Sequence, residues 1–220
     1  MLTLKRNPVG IDAVINNLNY LVYEELGWNE NDVTMPINYS AYHRALKNPR
    51  KDGLVPEVFV PSRLKFSHGE YSEVLYDDTL DASSFFYVDD TQNATDNGRI
   101  INTTLSMVFQ LNLSKVAENI KHRGDAEIWR IVTKAVNKSP YATFSQLVTG
   151  IPNVYSEFDQ SQITFTDMHP FHCFRIDLDV NYEFSCCKDG CNLEKENDFL
   201  TQVDGDYITL VDGGRIIIRE

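Results

Sequence analysis

The sequence predicts an α+β protein in which a mixed or antiparallel sheet packs against an N-terminal helix and a central helix pair. Two patterns support this prediction: apolar residues recur at helical spacing over Ile11–Leu26, and apolar and polar residues alternate over residues 173–184. Alternation with a period of two residues indicates a strand with one face in the core and the other in water. We expect the α+β domain to span residues 1–185 and a C-terminal β-rich appendage to span residues 186–220.

The first element is the N-terminal helix. Asn7 and Pro8 are typical of a helix cap and of the first helical position, so we expect the helix to begin there. Gly27 is typical of the residue that ends a helix, because glycine adopts the left-handed conformation at little cost.

Two strands are predicted after this helix, at residues 42–46 and 55–60. A basic turn of sequence K-N-P-R-K-D-G, residues 47–53, joins them and predicts a long hairpin tip. Because proline cannot donate to a strand ladder, Pro56 and Pro61 indicate that the second strand lies at the edge of its sheet.

Further strands are predicted at residues 71–76 and 84–88. The polar segment 89–99 that follows predicts a loop. Alternation resumes over residues 103–113 and predicts a long central strand, after which Ser114 is expected to cap a short helix.

The second half of the chain begins with a helix that Asp125 caps and that Ser139 and Pro140 end. We expect residues 141–170 to be irregular apart from a short strand at 163–165. The alternating strand comes next. In the appendage we expect three short β-runs separated by Asp-Gly turns, at residues 199–203, 207–211 and 216–219.

The composition is acidic, with 20 Lys and Arg against 32 Asp and Glu and a net charge of -12. Because phosphate binding depends on Lys and Arg, this balance argues against specific binding of DNA or RNA. It also predicts repulsion from anionic membranes. No apolar signal segment or stretch of transmembrane length is visible, so we expect an intracellular protein without membrane contact.

The cysteines lie close together in the sequence and near two histidines. Thiol and imidazole groups are zinc ligands, so this region is a candidate metal site. Its C-C-x3-C spacing differs from the paired C-x2-C arrangement of structural zinc sites, and we therefore expect reduced cysteines and no bound metal or other cofactor. The residues are Cys173, Cys186, Cys187 and Cys191, with His169 and His172.

One face of the alternating strand is acidic and carries Asp177, Asp179 and Glu183. A D-x-D sequence on a strand is able to hold a divalent cation for phosphoryl or glycosyl transfer. The sequence has no phosphate-binding loop motif to accompany that chemistry and no recognisable nucleophile motif. We therefore expect a protein that is not an enzyme, with these carboxylates exposed on a solvated or lumen-facing surface.

The segment H-R-G-D at residues 122–125 contains the R-G-D tripeptide of adhesion proteins. Local helix geometry explains it more simply, because Gly124 ends one helix and Asp125 caps the next. Arg123 is then available for a salt bridge within the subunit or to a neighbour.

The order of these elements resembles that of the small α/β subunits at the head-to-tail joint of tailed bacteriophages, the tail-terminator, tail-completion and neck-ring proteins. Three local stretches are similar to ring proteins of the crAss-like phages. The resemblance covers about residues 8–185 and leaves the appendage outside it. The stretches are I-D-A-V-I-N-N-L-N-Y-L-V-Y-E-E-L at Ile11–Leu26, E-Y-S-E-V-L-Y-D-D with S-S-F-F-Y-V-D-D at residues 70–78 and 83–90, and V-F-Q-L-N-L-S-K-V with H-R-G-D-A-E-I at residues 108–116 and 122–128.

The resemblance implies a structural virion protein, assembled in the host cytoplasm, whose copies form an oligomeric ring through which DNA passes. Its partners would be further copies of itself and neighbouring portal, neck or tail proteins. Rings need head-to-tail contacts, and the candidate subunit interface consists of Lys47, Arg50 and Lys51 at the hairpin tip together with Arg123. Two alternatives remain open: a metal-dependent enzyme that uses the acidic strand face, and a monomeric module whose appendage binds a ligand.

Overall fold

A computed structural model describes residues 2–5, 8–28, 36–60, 70–74, 79–96, 99–117, 124–161, 163 and 169–183, together with three short strands of the C-terminal tail. The chain divides into two units, Met1–Ser185 and Cys186–Glu220. Within the described ranges, no helix is long and apolar enough to cross a membrane.

Helices and strands are mixed along the first unit. The helices are α1 (Ile11–Leu26), α2 (Leu113–Val116), α3 (Gly124–Val136) and α4 (Ile151–Val154). The strands are β1 (Tyr39–Arg44), β2 (Leu46–Arg50), β3 (Gly53–Val60), β4 (Glu70–Glu73), β5 (Ala82–Thr95), β6 (Ile100–Asn112), β7 (Ala142–Thr149) and β8 (Phe171–Glu183). In the tail unit, β9 (Gln202–Asp204), β10 (Tyr207–Thr209) and β11 (Arg215–Ile217) form an antiparallel sheet.

The main sheet has five strands in the order β1-β5-β6-β8-β7. β1 runs parallel to β5, and the other neighbours are antiparallel, so the sheet is mixed. The predicted α+β class is therefore confirmed. The two longest alternating segments of the sequence pair with each other at the centre, with Leu105 opposite Leu178.

One face of the main sheet packs against α1 and α3. Phe109 and Phe174 stack in this layer with ring centroids 4.7 Å apart. Each aliphatic side chain that is fully buried here contributes about 1.5–3 kcal/mol to folding. The buried residues of the layer include Val14, Ile15, Leu18 and Val22 of α1, Ile128, Val132 and Ala135 of α3, and Phe86, Leu105, Met107, Ile176 and Leu178 of the sheet.

On the opposite face of the main sheet, the described residues form a cover over part of the length of the strands. A second sheet of order β2-β3-β4 and the short helix α4 form the cover. Phe158 packs there against Tyr87, with the ring centroids 5.1 Å apart. The buried residues of this layer include Val58, Val74, Phe85, Val108, Val154, Tyr155 and Cys173.

The predicted start of α1 is wrong, and its predicted end is confirmed. The helix begins at Ile11 after Gly10, which has a φ of 59° and supplies no side-chain cap. Asn7 lies outside the described residues, and Pro8 precedes the helix. Gly10 is required for close packing, because a Cβ at this position would lie 3.2 Å from the Tyr182 ring. Gly27 ends the helix in the left-handed conformation.

Two segments expected to be irregular are strands. The predicted loop at 89–99 is mostly a continuation of β5, which pairs with β6 as far as Thr95 and Ile100. The residues of β5 from Thr91 to Thr95 are all exposed, so alternation is lost there. β7 lies within the predicted irregular region, and a bulge between Phe144 and Gln146 interrupts its alternation.

The predicted edge position of the second hairpin strand is also wrong. β3 is the central strand of the small sheet. Pro56 is tolerated because its carbonyl still accepts a hydrogen bond from the backbone N–H of Val74, at 3.0 Å. The predicted hairpin tip is shorter than expected, since Lys47 and Arg50 belong to β2 and the turn consists of Lys51 and Asp52.

Candidate interaction surfaces

The acidic face of β8 is divided into a covered part and an open part. Asp179 and Glu183 are exposed, as expected. The predicted exposure of Asp177 is wrong, because that residue is only 4 % exposed. The cover that the small sheet and α4 provide over the neighbouring residues ends just beyond it.

The Asp177 carboxylate is fully engaged by side chains from three strands. The Ser106 hydroxyl donates to Oδ1 at 2.7 Å, and the Gln146 amide donates to Oδ2 at 2.6 Å. Arg175 lies on the same strand, with its Nη2 donating to Oδ2 at 3.1 Å and its Nε 2.8 Å from Oδ1. A buried carboxylate is tolerated only when it is paired and hydrogen-bonded in this way.

Arg175 also connects this carboxylate to α4. Its Nη1 donates to the carbonyl oxygens of Asn153 and Val154, at 2.9 and 3.2 Å, and it lies 3.2 Å from the Ser156 hydroxyl. These carbonyls lie at the end of α4, where backbone carbonyls have no N–H donor within the helix. The acidic residue that the sequence marked as a candidate metal ligand therefore fixes a covering helix onto the sheet.

Of the three carboxylates that the metal-dependent alternative requires, Asp177 is already bonded within this network. Only Asp179 and Glu183 remain on the open part of the face, and no group of three His, Cys, Asp or Glu residues in the described part of the chain is placed to hold a metal ion. Cys173 is fully buried in the core, while the other three cysteines lie outside the described residues. The expected absence of a bound metal stays a prediction.

The hairpin tip is basic in sequence, but most of its charge is paired within the subunit. Lys47 forms an ion pair with Glu157 and lies 5.5 Å from the centroid of the Tyr87 ring. Arg50 pairs with Glu57, which also accepts a 2.7 Å hydrogen bond from the Asn48 amide.

Lys51 is exposed at the turn, and Arg123 lies outside the described residues. That these residues form a subunit interface stays a prediction.

An apolar cleft lies beside the N-terminal segment and the outer face of the small sheet. Its volume is about 430 Å³. Four exposed apolar side chains line it, and the rings of Phe59 and Tyr71 meet edge to face at 5.5 Å. Their exposed fractions are 45 % for Leu4, 46 % for Leu46, 45 % for Phe59 and 55 % for Tyr71. The sequence did not predict this cleft, because its walls come from segments far apart along the chain.

The rim of the apolar cleft carries a small excess of positive charge. Lys5 and Arg44 both contact the Asp12 carboxylate, at 2.7 and 3.2 Å. His43 also lines the cleft, and burial, opposed mainly by the nearby Asp12 charge, lowers its pKa to about 4, so the ring is neutral at pH 7. Two cations against one carboxylate leave a net charge of one positive unit.

The hydrogen bonds around His43 define its tautomer. Asn16 donates to the Lys5 carbonyl and accepts from the Lys5 N–H, which fixes the orientation of the Asn16 amide. The Asn16 Oδ1 therefore faces the His43 Nε2 at 2.9 Å, and Nε2 must carry the proton. The other ring nitrogen, Nδ1, lies 4.0 Å from the Asp12 carboxylate.

β7 is the terminal strand of the main sheet at the side opposite β1. It belongs to the longest stretch of the chain without Asp, Glu, Lys, Arg or His, residues 139–156. Natural proteins usually protect exposed strand edges with charge, proline or a covering segment. The bulge in β7 is the protective feature that this strand shows.

The other edges in the described part of the two sheets are each protected. β2 contains Lys47, Pro49 and Arg50, and the four-residue β4 contains two glutamates. β1 is covered by the N-terminal segment, since Leu2 bridges to Ala41 and the Thr3 N–H donates to the Ala41 carbonyl at 2.9 Å. The β7 edge, which lacks charge and proline, and the apolar cleft therefore lie on opposite sides of the main sheet.

A further cavity, of about 870 Å³, lies where β6 and β8 meet the start of α1. Among the residues that line it, Glu183 is the charged one. Catalytic clefts typically bring several titratable groups together. The residues that line this cavity do not form such an arrangement.

No protein-family model matches this chain, and a search of curated proteins finds no significant match.

Proposed function

We propose that this chain is a structural virion protein that forms an oligomeric ring at the head–tail joint of a tailed bacteriophage. Viral DNA would pass through the lumen of the ring. The proposal starts from the order of elements and the three local stretches that resemble neck and ring proteins. The observation that carries it is the pair of unlike surfaces at the two sides of the main sheet.

Closed rings are built from heterologous contacts, in which one surface of a subunit meets a different surface of the next. Among the described strands, β7 is the terminal one at one side of the sheet, while the apolar cleft offers exposed side chains at the other side. A subunit with two such surfaces is able to add further copies in one direction. This geometry supports a ring better than it supports a monomeric binding module.

The charge distribution also supports a passage for DNA. The net charge is -12, and the open part of the β8 face exposes Asp179 and Glu183. A lumen wall that repels phosphate lets DNA slide past without binding it. We therefore assign this face to the lumen side of the ring.

Mass spectrometry of purified phage particles tests the proposal. Tailed particles from cells that carry the gene should contain this chain in several copies for each portal assembly. Its gene should also lie among genes for portal and capsid proteins. Particles that assemble completely without the chain would contradict the proposal.

A further inference from the structure

From the two unlike sides of the sheet we infer the subunit contact itself: the β7 edge of one copy docks head to tail against the apolar cleft of the next copy. By the open edge we mean β7 together with Tyr141, and the apolar cleft is the one lined by Leu4, Leu46, Phe59 and Tyr71. The inference rests on the proposed ring, but its test is separate from that of the ring.

The open edge is where two copies of an acidic chain are able to approach. Copies that each carry a net charge of -12 repel one another, so a contact is favoured where acidic residues are absent. The segment 139–156 contains no charged residue. The outward backbone groups of β7 offer hydrogen bonds to any extended segment placed beside them.

The helix-covered layer is also incomplete at this edge. Phe144 and Leu147 of β7 and Ile131 of α3 pack against the core but remain partly exposed. Tyr141, at the start of the strand, is 46 % exposed. A neighbouring chain at this position would bury apolar surface, which contributes about 25 cal/mol for each Å² removed from water.

We expect the open edge to bind in the apolar cleft of a second copy. The cleft volume of about 430 Å³ is large enough to receive apolar side chains such as Tyr141. The N-terminal segment beside the cleft already extends the sheet past β1, through the bridge from Leu2 to Ala41. A neighbour's β7 placed there would continue the sheet from one subunit to the next.

Charge complementarity selects this head-to-tail contact over a symmetric one. Asp179, which is exposed, is paired with Thr143 of β7, so one acidic side chain of the adjacent strand lies beside the uncharged open edge. The rim of the cleft is net positive because Lys5 and Arg44 share one carboxylate. Two β7 edges facing each other would bring the Asp179 carboxylates of both copies toward the contact, which is unfavourable.

Complementation between two blocked variants tests this contact. The edge variant Thr143→Lys/Thr149→Lys adds the charges that protect strand edges, at two exposed positions of β7. The cleft variant Phe59→Ser/Tyr71→Ser removes two exposed rings from the cleft. A matched control, Tyr20→Lys/Glu24→Gln, changes the net charge by the same amount at exposed positions of α1 outside both surfaces.

Molecular mass is measured by sedimentation velocity for each protein and for the mixture of the two blocked variants, after circular dichroism has shown that each is folded. The wild-type protein and the control should form oligomers, and each blocked variant should be a monomer. Their mixture should form a one-to-one dimer and nothing larger, because each member retains one working surface.

Three results would overturn the inference: a wild-type protein that stays monomeric at every soluble concentration, blocked variants that assemble like the wild type, or folded blocked variants whose mixture stays monomeric. The result that would contradict the contact differs from the result that would contradict the proposed function. If the chain forms a ring in particles while the edge variant still assembles, the contact is wrong and the function stands. If complementation succeeds but complete particles lack the chain, the function is wrong and the contact stands.

Discussion

Ser106 on β6 and Asp177 on β8 face each other across the central ladder, and the serine hydroxyl donates a 2.7 Å hydrogen bond to the buried carboxylate. The carboxylate looks like a surface residue in the sequence, because the neighbouring polar positions of the strand alternate with core residues. In the fold it connects the central strands to α4 through Arg175. Its role is therefore structural.

Neutralising Asp177 should destabilise the fold far more than neutralising Asp179. Asp177→Asn leaves the Arg175 guanidinium, whose side chain is 12 % exposed, without its counter-charge, and the cost should approach the roughly 3–5 kcal/mol of breaking a buried pair. Asp179 is exposed, so Asp179→Asn should change the free energy of unfolding by less than about 0.5 kcal/mol. Urea unfolding of the two variants measures the difference. Equal stability of both variants would show that Asp177 is not held in the buried network.

Reversing the charge of Lys47 should also destabilise the subunit. Lys47 pairs with Glu157 and its side chain is only 12 % exposed, so Lys47→Glu places two carboxylates together at a cost of about 1–3 kcal/mol. Lys51→Glu is the matched control, because Lys51 is exposed at the turn. Thermal unfolding should separate the two variants. A Lys47→Glu variant as stable as Lys51→Glu would show that the pair between Lys47 and Glu157 does not stabilise the subunit.

Stability should fall between about pH 6.5 and pH 4 because of His43. Burial, opposed mainly by the Asp12 charge, lowers the pKa of the folded ring to about 4, below the ordinary value of about 6.5 in the unfolded chain. The unfolded chain therefore binds the proton first as the pH drops, and stability is lost through that interval. Urea unfolding at pH 7 and pH 5 should show a smaller loss for His43→Gln than for the wild type. The same loss in both proteins would contradict this assignment.

The contact between α1 and α3 should weaken in strong acid and in salt. Hydrogen bonds from Lys134 and then Lys138 lower the pKa of Glu25 to about 2, so the contribution of this cluster is present above about pH 4.5 and is lost as the pH falls toward 2. Exposed ion pairs are screened by salt. The melting temperature of the wild type should therefore decrease with added sodium chloride more than that of Glu25→Gln. Parallel salt dependence would show that the cluster contributes nothing.

The sequence predicted the fold class because the long elements are strongly periodic. α1 buries one face, and β6 and β8 place their large apolar side chains on the face that the helices cover, so the apolar spacing of all three follows from that burial. β7 was missed because an edge strand with a bulge buries neither face completely. The far end of β5 was missed because its residues are exposed and, apart from Ala94, polar, so they do not alternate.

The candidate surfaces could be predicted only in part. The exposed acidic residues Asp179 and Glu183 follow from alternation, whereas the burial of Asp177 depends on α4, which comes from a different part of the chain. The apolar cleft joins Leu4 to Tyr71, and no local pattern brings such distant residues together. Contacts between segments that are distant along the chain produce no periodic pattern in the sequence.

Cryo-electron microscopy of purified tailed particles is the most direct test of the proposed ring. The account predicts a closed ring of identical subunits at the head–tail joint, into which this fold fits with Asp179 and Glu183 toward the lumen and β7 toward the adjacent subunit. A fully resolved joint in which no ring accommodates this fold would contradict it.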